Sequence, residues 1–145
     1  MLLKVNREAL LAVLDSFIGQ DGFLSTIIHL FQNDVTPTAD SLPADFDEAT
    51  YTGYAAANVL ILGLSYDDGA GQALIELAAH AFQPTGTAIS NVIYGYWLEG
   101  GPDGPAVGKL YAAARLDEPR TLASGNDILV VQSRFALGFP IGIPG

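Results

Sequence analysis

Apolar residues fall into short runs, many with a period of two, separated by clusters of Gly, Pro, Asp and Asn. Phe23–Phe31 is one such run, Tyr51–Leu62 a second, and residues 86–98, 108–115 and 126–137 complete the set. Each is rich in β-branched or aromatic side chains and bounded by turn formers, the pattern of half-buried strands. Residues 33–50 are rich in Asp, Thr, Pro and Ala and read as a long surface loop. Ser65–Gly71 reads as a turn, Gly100–Pro105 as a loop, and Glu118–Asp127 as the connection before the last run. Residues 73–82 fit either helix, by composition, or strand, by position. Taken as a strand, they put Leu74, Glu76, Ala78 and His80 on one face and Ile75, Leu77, Ala79 and Ala81 on the other. Strands at this spacing predict an all-β chain, an antiparallel β-sandwich or jelly roll, with a short N-terminal α-helix.

The helix is predicted over Asn6–Ile18. Asn6 caps it, Glu8 lies in its first turn, Gly19 closes it, and Val5 and Leu10 have the spacing of a hydrophobic staple. Leu10, Leu14, Phe17 and Ile18 form one apolar stripe, which rests on the chain's own sheet or docks on a neighbour. At the other end, Gly138–Gly145 is apolar and uncharged. Pro140 and Pro144 cannot donate hydrogen bonds, so this tail is a poor central strand. In an extended conformation Phe139, Ile141 and Ile143 fall on one side. The expected organisation is an arm at 1–22, a β domain at 23–137 and an apolar tail at 138–145. The expected contacts with partners are Leu10, Leu14, Phe17, Phe139, Ile141 and Ile143, with fold-back of the tail onto its own domain as the alternative.

The 145 residues suffice for one domain with a real core, and 50% are hydrophobic, which excludes a disordered chain. Only 15% are charged, below the usual quarter or so, which suggests that partners cover some of the surface. The net charge is −10, and the six Lys and Arg are scattered, which argues against nucleic acid and anionic membrane as partners. With no cysteine, disulfides and thiolate metal sites are excluded. The first residues, Met1-Leu-Leu-Lys-Val-Asn, do not read as a signal peptide, and no run reaches the roughly 18 apolar residues of a membrane span.

Candidate chemistry is sparse. His29 and His80 both lie in apolar strand-like runs with no carboxylate adjacent in sequence, the setting of structural rather than catalytic histidines. The chain has no nucleophile elbow, P-loop, metalloprotease helix or dinucleotide fingerprint. Asp45, Asp47 and Glu48 in one loop and Asp67 and Asp68 in another would form a calcium site only if the loops converged, and read as solvated acids. No metal or cofactor is expected. Tyr51, Tyr54, Tyr94, Tyr96, Trp97 and Tyr111 suit either core pairs or a sugar-binding face. By alternation Tyr94 and Tyr96 share a face and Trp97 points the other way.

Four stretches, in two successive pairs, carry a resemblance. Leu30-Phe-Gln-Asn-Asp-Val-Thr-Pro-Thr is followed by Phe46-Asp-Glu-Ala-Thr-Tyr-Thr-Gly-Tyr-Ala. Val92-Ile-Tyr-Gly-Tyr-Trp-Leu precedes Leu110-Tyr-Ala-Ala-Ala-Arg-Leu-Asp-Glu-Pro-Arg-Thr-Leu-Ala-Ser-Gly. This order of turns and strand cores, over about residues 23–137, resembles small structural proteins of tailed bacteriophages. The chain departs from it at Asn126, which displaces the acid expected after Gly125. The resemblance implies a non-enzymatic virion subunit, assembled in the host cytoplasm. Its expected place is on a capsid as a decoration (cement) subunit, in contact with copies of itself and with the major capsid or another virion protein. The alternative it leaves open is a carbohydrate- or receptor-binding subunit of a tail or head fibre.

Overall fold

The computed structural model describes residues 25–67, 69, 72–101 and 109–138. The predicted helix at 6–18, with Leu10, Leu14 and Phe17, and the tail residues Phe139, Ile141 and Ile143 lie outside the described residues. What is described is mostly antiparallel β-strand with almost no helix, as the alternation predicts.

The strands are β1 (Ser25–Phe31), β2 (Ala57–Asp67), β3 (Gln72–Leu77), β4 (His80–Phe82), β5 (Asn91–Gly100), β6 (Leu110–Leu122), β7 (Leu129–Val131) and β8 (Arg134–Gly138). Six form a sheet in the order β6-β5-β1-β2-β3-β8, and β4 pairs with β7 in a second, two-stranded sheet. Both sheets feed one core. Ile28 and Leu30 of β1, Val59 of β2, Ile75 and Leu77 of β3, and Ile93 and Leu98 of β5 join Phe82 of β4 with Leu129 and Val131 of β7. A smaller cluster of Phe31, Phe46 and Trp97 covers the opposite face of β1 and β5. Leu30 and Phe31 are neighbours in sequence but lie in different clusters, the alternation a strand buried on both faces requires.

Several boundaries differ from the sequence expectation, each for a local reason. The second strand begins at Ala57, not Tyr51, because Gly53 takes φ +86° in a turn that Tyr54 N–H closes on the Tyr51 carbonyl at 2.9 Å. It then runs through Ser65, Tyr66 and Asp67, expected as a turn, and the reversal sits around Gly69. The run at 73–82 is two strands. Ile75 and Leu77 are buried and Glu76 exposed, as alternation predicts, but the chain leaves the large sheet after Leu77 and enters the small one at His80. Residues 126–137 divide in the same way, with β7 in the small sheet and β8 in the large one. Gly86–Ser90 is not strand, and β5 starts at Asn91.

The strand expected at 108–115 continues to Leu122, through the stretch read as a loop. The pairings Gly95↔Arg115 and Ile93↔Arg120 leave Leu116, Asp117, Glu118 and Pro119 opposite Tyr94 alone. The turn-forming residues there mark a wide bulge, a place where a strand tolerates proline. The irregularity also moves Tyr94 onto the Trp97 side, while Tyr96 packs against the main core, so the two tyrosines do not share a face.

Candidate functional site

The densest polar network lies on the β1–β5 face, around His29. Residues 32–50 fold back over the end of β1. Gln32 N–H donates to the Asp47 carbonyl at 2.8 Å and Ala49 N–H to the Leu30 carbonyl at 2.9 Å. Asn33 fastens the fold-back from inside, its amide donating to the Asp45 carbonyl and its Oδ1 accepting from Asp47 N–H, each at 2.9 Å. Pro43–Asp45 is a 3-10 turn closed by the Asp45 carboxylate, which accepts from Leu42 N–H at 2.8 Å. Arg115 holds the start of the segment to β6. It pairs with Asp34, donates to the Val35 carbonyl at 3.0 Å, and lies 5.4 Å from the centre of the Tyr94 ring.

The fold-back delivers Glu48 to His29. The Nδ1 of His29 is 2.7 Å from Glu48 Oε1, and the Tyr54 hydroxyl donates to the same oxygen at 2.9 Å. The Tyr54 oxygen accepts from Leu30 N–H at 3.0 Å. From the other side, Glu99 of β5 takes the Trp97 indole N–H on Oε1 at 2.8 Å and places Oε2 3.5 Å from His29 Nε2. The His29 ring stacks on Trp97, with centroids 4.6 Å apart and planes 6° from parallel. The side chains of His29 and Glu99 are each 15% exposed. Sequence adjacency missed both carboxylates because one lies 19 residues further along the chain, in the segment that folds back, and the other across a strand pair.

A histidine beside a carboxylate is the arrangement that orients a general base. Here Nδ1 is engaged by Glu48, Nε2 is buried near Glu99 without a hydrogen-bond partner, and Trp97 covers one ring face. The cavities at Pro37–Leu110, at Glu76–Arg134 and at Tyr51–His80 are not lined by His29, Glu48 or Glu99. The network is a brace that ties the 32–50 segment to two strands. Among the described residues no group of three or more His, Cys, Asp or Glu is set to hold a metal ion. Asp67 accepts from Gly69 N–H at 2.9 Å, and Asp68 lies outside the described residues. His80 packs edge-on against Phe82.

Among the described residues the aromatic side chains do not gather on an open face. Tyr51 and Trp97 are each 3% exposed. Tyr54 packs on the main core, and the side chain of Tyr111 lies outside the description. A cleft of about 480 Å³ is lined by Glu76, Leu77, Tyr96, Gln132, Ser133 and Arg134. Ser133 is 3% exposed, and its hydroxyl oxygen is buried without a hydrogen-bond partner.

Burial of the two tyrosines has a consequence in alkali. Desolvation pushes the Tyr51 phenol from 10.0 up to about 12. It raises Tyr54 further, and the nearby Glu48 carboxylate adds to the effect. A folded-state pKa above the unfolded one stabilises the fold fully below pH ~10, and that contribution is lost as the pH rises through the folded value. Denaturant midpoints are therefore expected to fall steeply between pH ~10 and ~12, in step with phenolate absorbance. The double variant Tyr51→Phe/Tyr54→Phe, less stable at neutral pH, is expected to show a much shallower fall. An equally steep fall in that variant would place the lability elsewhere. Asp127 gives the opposite sign. Its carboxylate accepts from Ala123 and Ser124 N–H, which lowers its pKa, so its contribution is present above the usual carboxylate range and lost on acidification.

Comparison with protein-family models, curated proteins and solved structures found no match. Among the described residues no helix is long and apolar enough to cross a membrane.

Proposed function

We propose that the chain is a non-enzymatic structural subunit of a virion, a decoration subunit that stabilises the capsid of a tailed bacteriophage and acts by adhesion to copies of itself and to the shell. The observation that carries the adhesive part is apolar exposure on ordered strands. Leu60 and Leu62 of β2 are each 64% exposed, and Val130 of β7 is 60% exposed. Large aliphatic side chains held on rigid strands suit a surface that is covered in an assembly. The net charge of −10 keeps such a surface soluble before assembly. The virion assignment is supported by the resemblance of the turn and strand pattern over about residues 23–137. In this reading the fold is a sandwich whose two sheets close over the shared core, and many weak contacts around a symmetric shell supply avidity.

The double variant Leu60→Lys/Leu62→Lys tests the adhesive reading. It is expected to keep its melting temperature within about 2 °C, since exposed sites contribute little to stability. Its self-association, measured by sedimentation velocity, is expected to weaken at least tenfold. Unchanged association would remove β2 from the contact surface. Particle images with and without the protein test the decoration role directly.

A second reading, a carbohydrate- or receptor-binding fibre subunit, draws support from the Glu76–Tyr96–Gln132–Arg134 cleft, where the exposed Glu76, Gln132 and Arg134 offer polar contacts to a ligand. Glycan-array binding lost in Gln132→Ala would favour it over adhesion.

A further inference from the structure

Among the described residues β6 pairs only with β5, so one long side of its backbone is unpaired. Sheet edges that associate with nothing are normally blunted by charge, proline or bulges. The second half of β6 has all three, with Asp117, Glu118 and Pro119 in the wide bulge. The first half, Leu110–Ala114, has neither charge nor proline, only a one-residue bulge at Tyr111. Beside it runs a groove of about 380 Å³ between Leu110, Ala112 and Ala113 on one side and the loop at Pro37, Thr38 and Ser41 on the other. An uncharged edge with room alongside accepts an extended uncharged segment by strand addition.

The sequence after β8 is built to be such a segment, and to end a sheet. In an extended strand, N–H groups of alternate residues point to opposite sides. Pro140 and Pro144 therefore remove donors from one side only. The side carrying the N–H groups of Phe139, Ile141 and Ile143 is complete and can pair. The proline side faces outward and blocks further addition.

The register indicates whose edge it meets. Asn58 of β2 is level with Ile27, which is level with Glu99 and so with Leu110 at the start of β6. Asp67 of β2 is level with Gln72, which is level with Gly138. Nine residues, one of them in the bulge at Leu62, separate Asn58 from Asp67, about 27 Å along the strand. Residues 139–145 span at most about 25 Å fully extended. The tail leaves β8 too far from its own β6 to reach that edge and also lie along it.

We propose that residues 139–145 of one copy add as a terminal strand to the Leu110–Ala114 edge of β6 in a second copy. The contact is head-to-tail, so repetition gives a ring or an open chain of subunits. The inference rests on the self-associating role proposed above and adds one segment and one edge to the exposed β2 surface as its contacts.

The positions of the prolines supply the test. Gly142→Pro places a third proline on the outward side and is expected to leave association, measured by sedimentation velocity on the full chain, within about twofold. Ile141→Pro removes a pairing donor and is expected to weaken it at least tenfold, while the side-chain control Ile141→Ala weakens it less. The chain has no cysteine, so single variants Ala113→Cys and Ile141→Cys, mixed and oxidised, report the contact directly. A disulfide between the two variants is expected. Equal effects of the two proline variants, or association without that disulfide, would overturn the strand addition while leaving self-association standing. A disulfide within one chain of the double-cysteine variant at high dilution would overturn it in favour of fold-back. A chain that stays monomeric at every concentration would overturn self-association, and the strand addition with it.

Discussion

Replacing Gly95 by alanine is expected to lower the melting temperature by on the order of 10 °C, whereas the same change at Gly63 leaves it within about 2 °C. Gly95 pairs directly with Phe31 across the β1–β5 ladder. A Cβ on residue 95 would clash with the Ala114 carbonyl oxygen and with Phe31 Cζ. Neither neighbour yields easily. One is backbone of β6, and the other belongs to a ring that is fully buried and packed on Phe46 at 4.8 Å. An aromatic ring laid over a strand glycine is a recognised way to fill the space that a missing side chain leaves. Overfilling it costs about 3 kcal/mol, and a chain of this size loses about 4 °C per kcal/mol. Gly63 sits beside the β2 bulge with nothing within 4 Å of its Cβ direction and without a left-handed backbone. Calorimetry on the two variants gives the comparison. Equal shifts would mean that the Phe31 ring is not what makes residue 95 a glycine.

How much of this was legible in the sequence depended on whether a feature is local. The strand cores were legible, because alternation is a local property and both faces of β1 and β5 are apolar. The strand ends were not. β6 runs past Asp117-Glu-Pro because a wide bulge absorbs residues that, by themselves, signal a loop. The divisions of 73–82 and 126–137 between two sheets were hidden because Ala78–Ala79 and Gln132–Ser133 carry no strong turn signal. The His29 network was illegible for a different reason. Glu48 and Glu99 reach it only once the 32–50 segment has folded back and β5 has paired with β1, and neither step leaves a spacing motif. Alternation did place Trp97 away from Tyr96, but the irregularity at Ile93–Gly95 returned Tyr94 to the Trp97 side.

Trp97 is where that network meets the second cluster, and its removal is the other change expected to have a large effect. Trp97→Ala should cost about 4 kcal/mol, in the range for truncating a buried indole. The ring is 3% exposed, stacks on His29, and lies 5.3 Å from the Phe46 ring. Trp97→Phe keeps an aromatic face for His29 and Phe46 but loses the N–H that Glu99 Oε1 accepts at 2.8 Å. A buried carboxylate deprived of a donor costs about 2 kcal/mol, so the phenylalanine variant should fall near the midpoint between wild type and alanine. The two contributions separate in a cycle with Glu99→Gln. In that background the acceptor is a neutral amide, and Trp97→Phe should cost less than about 1 kcal/mol. Because Trp97 is the chain's one tryptophan, stability in these variants is followed by circular dichroism rather than fluorescence. A coupling well above zero would locate the role of the indole N–H in holding Glu99 beside His29. Strict additivity would instead assign the whole effect of Trp97 to packing, and the brace would then reduce to the contacts of Glu48 and Tyr54 alone.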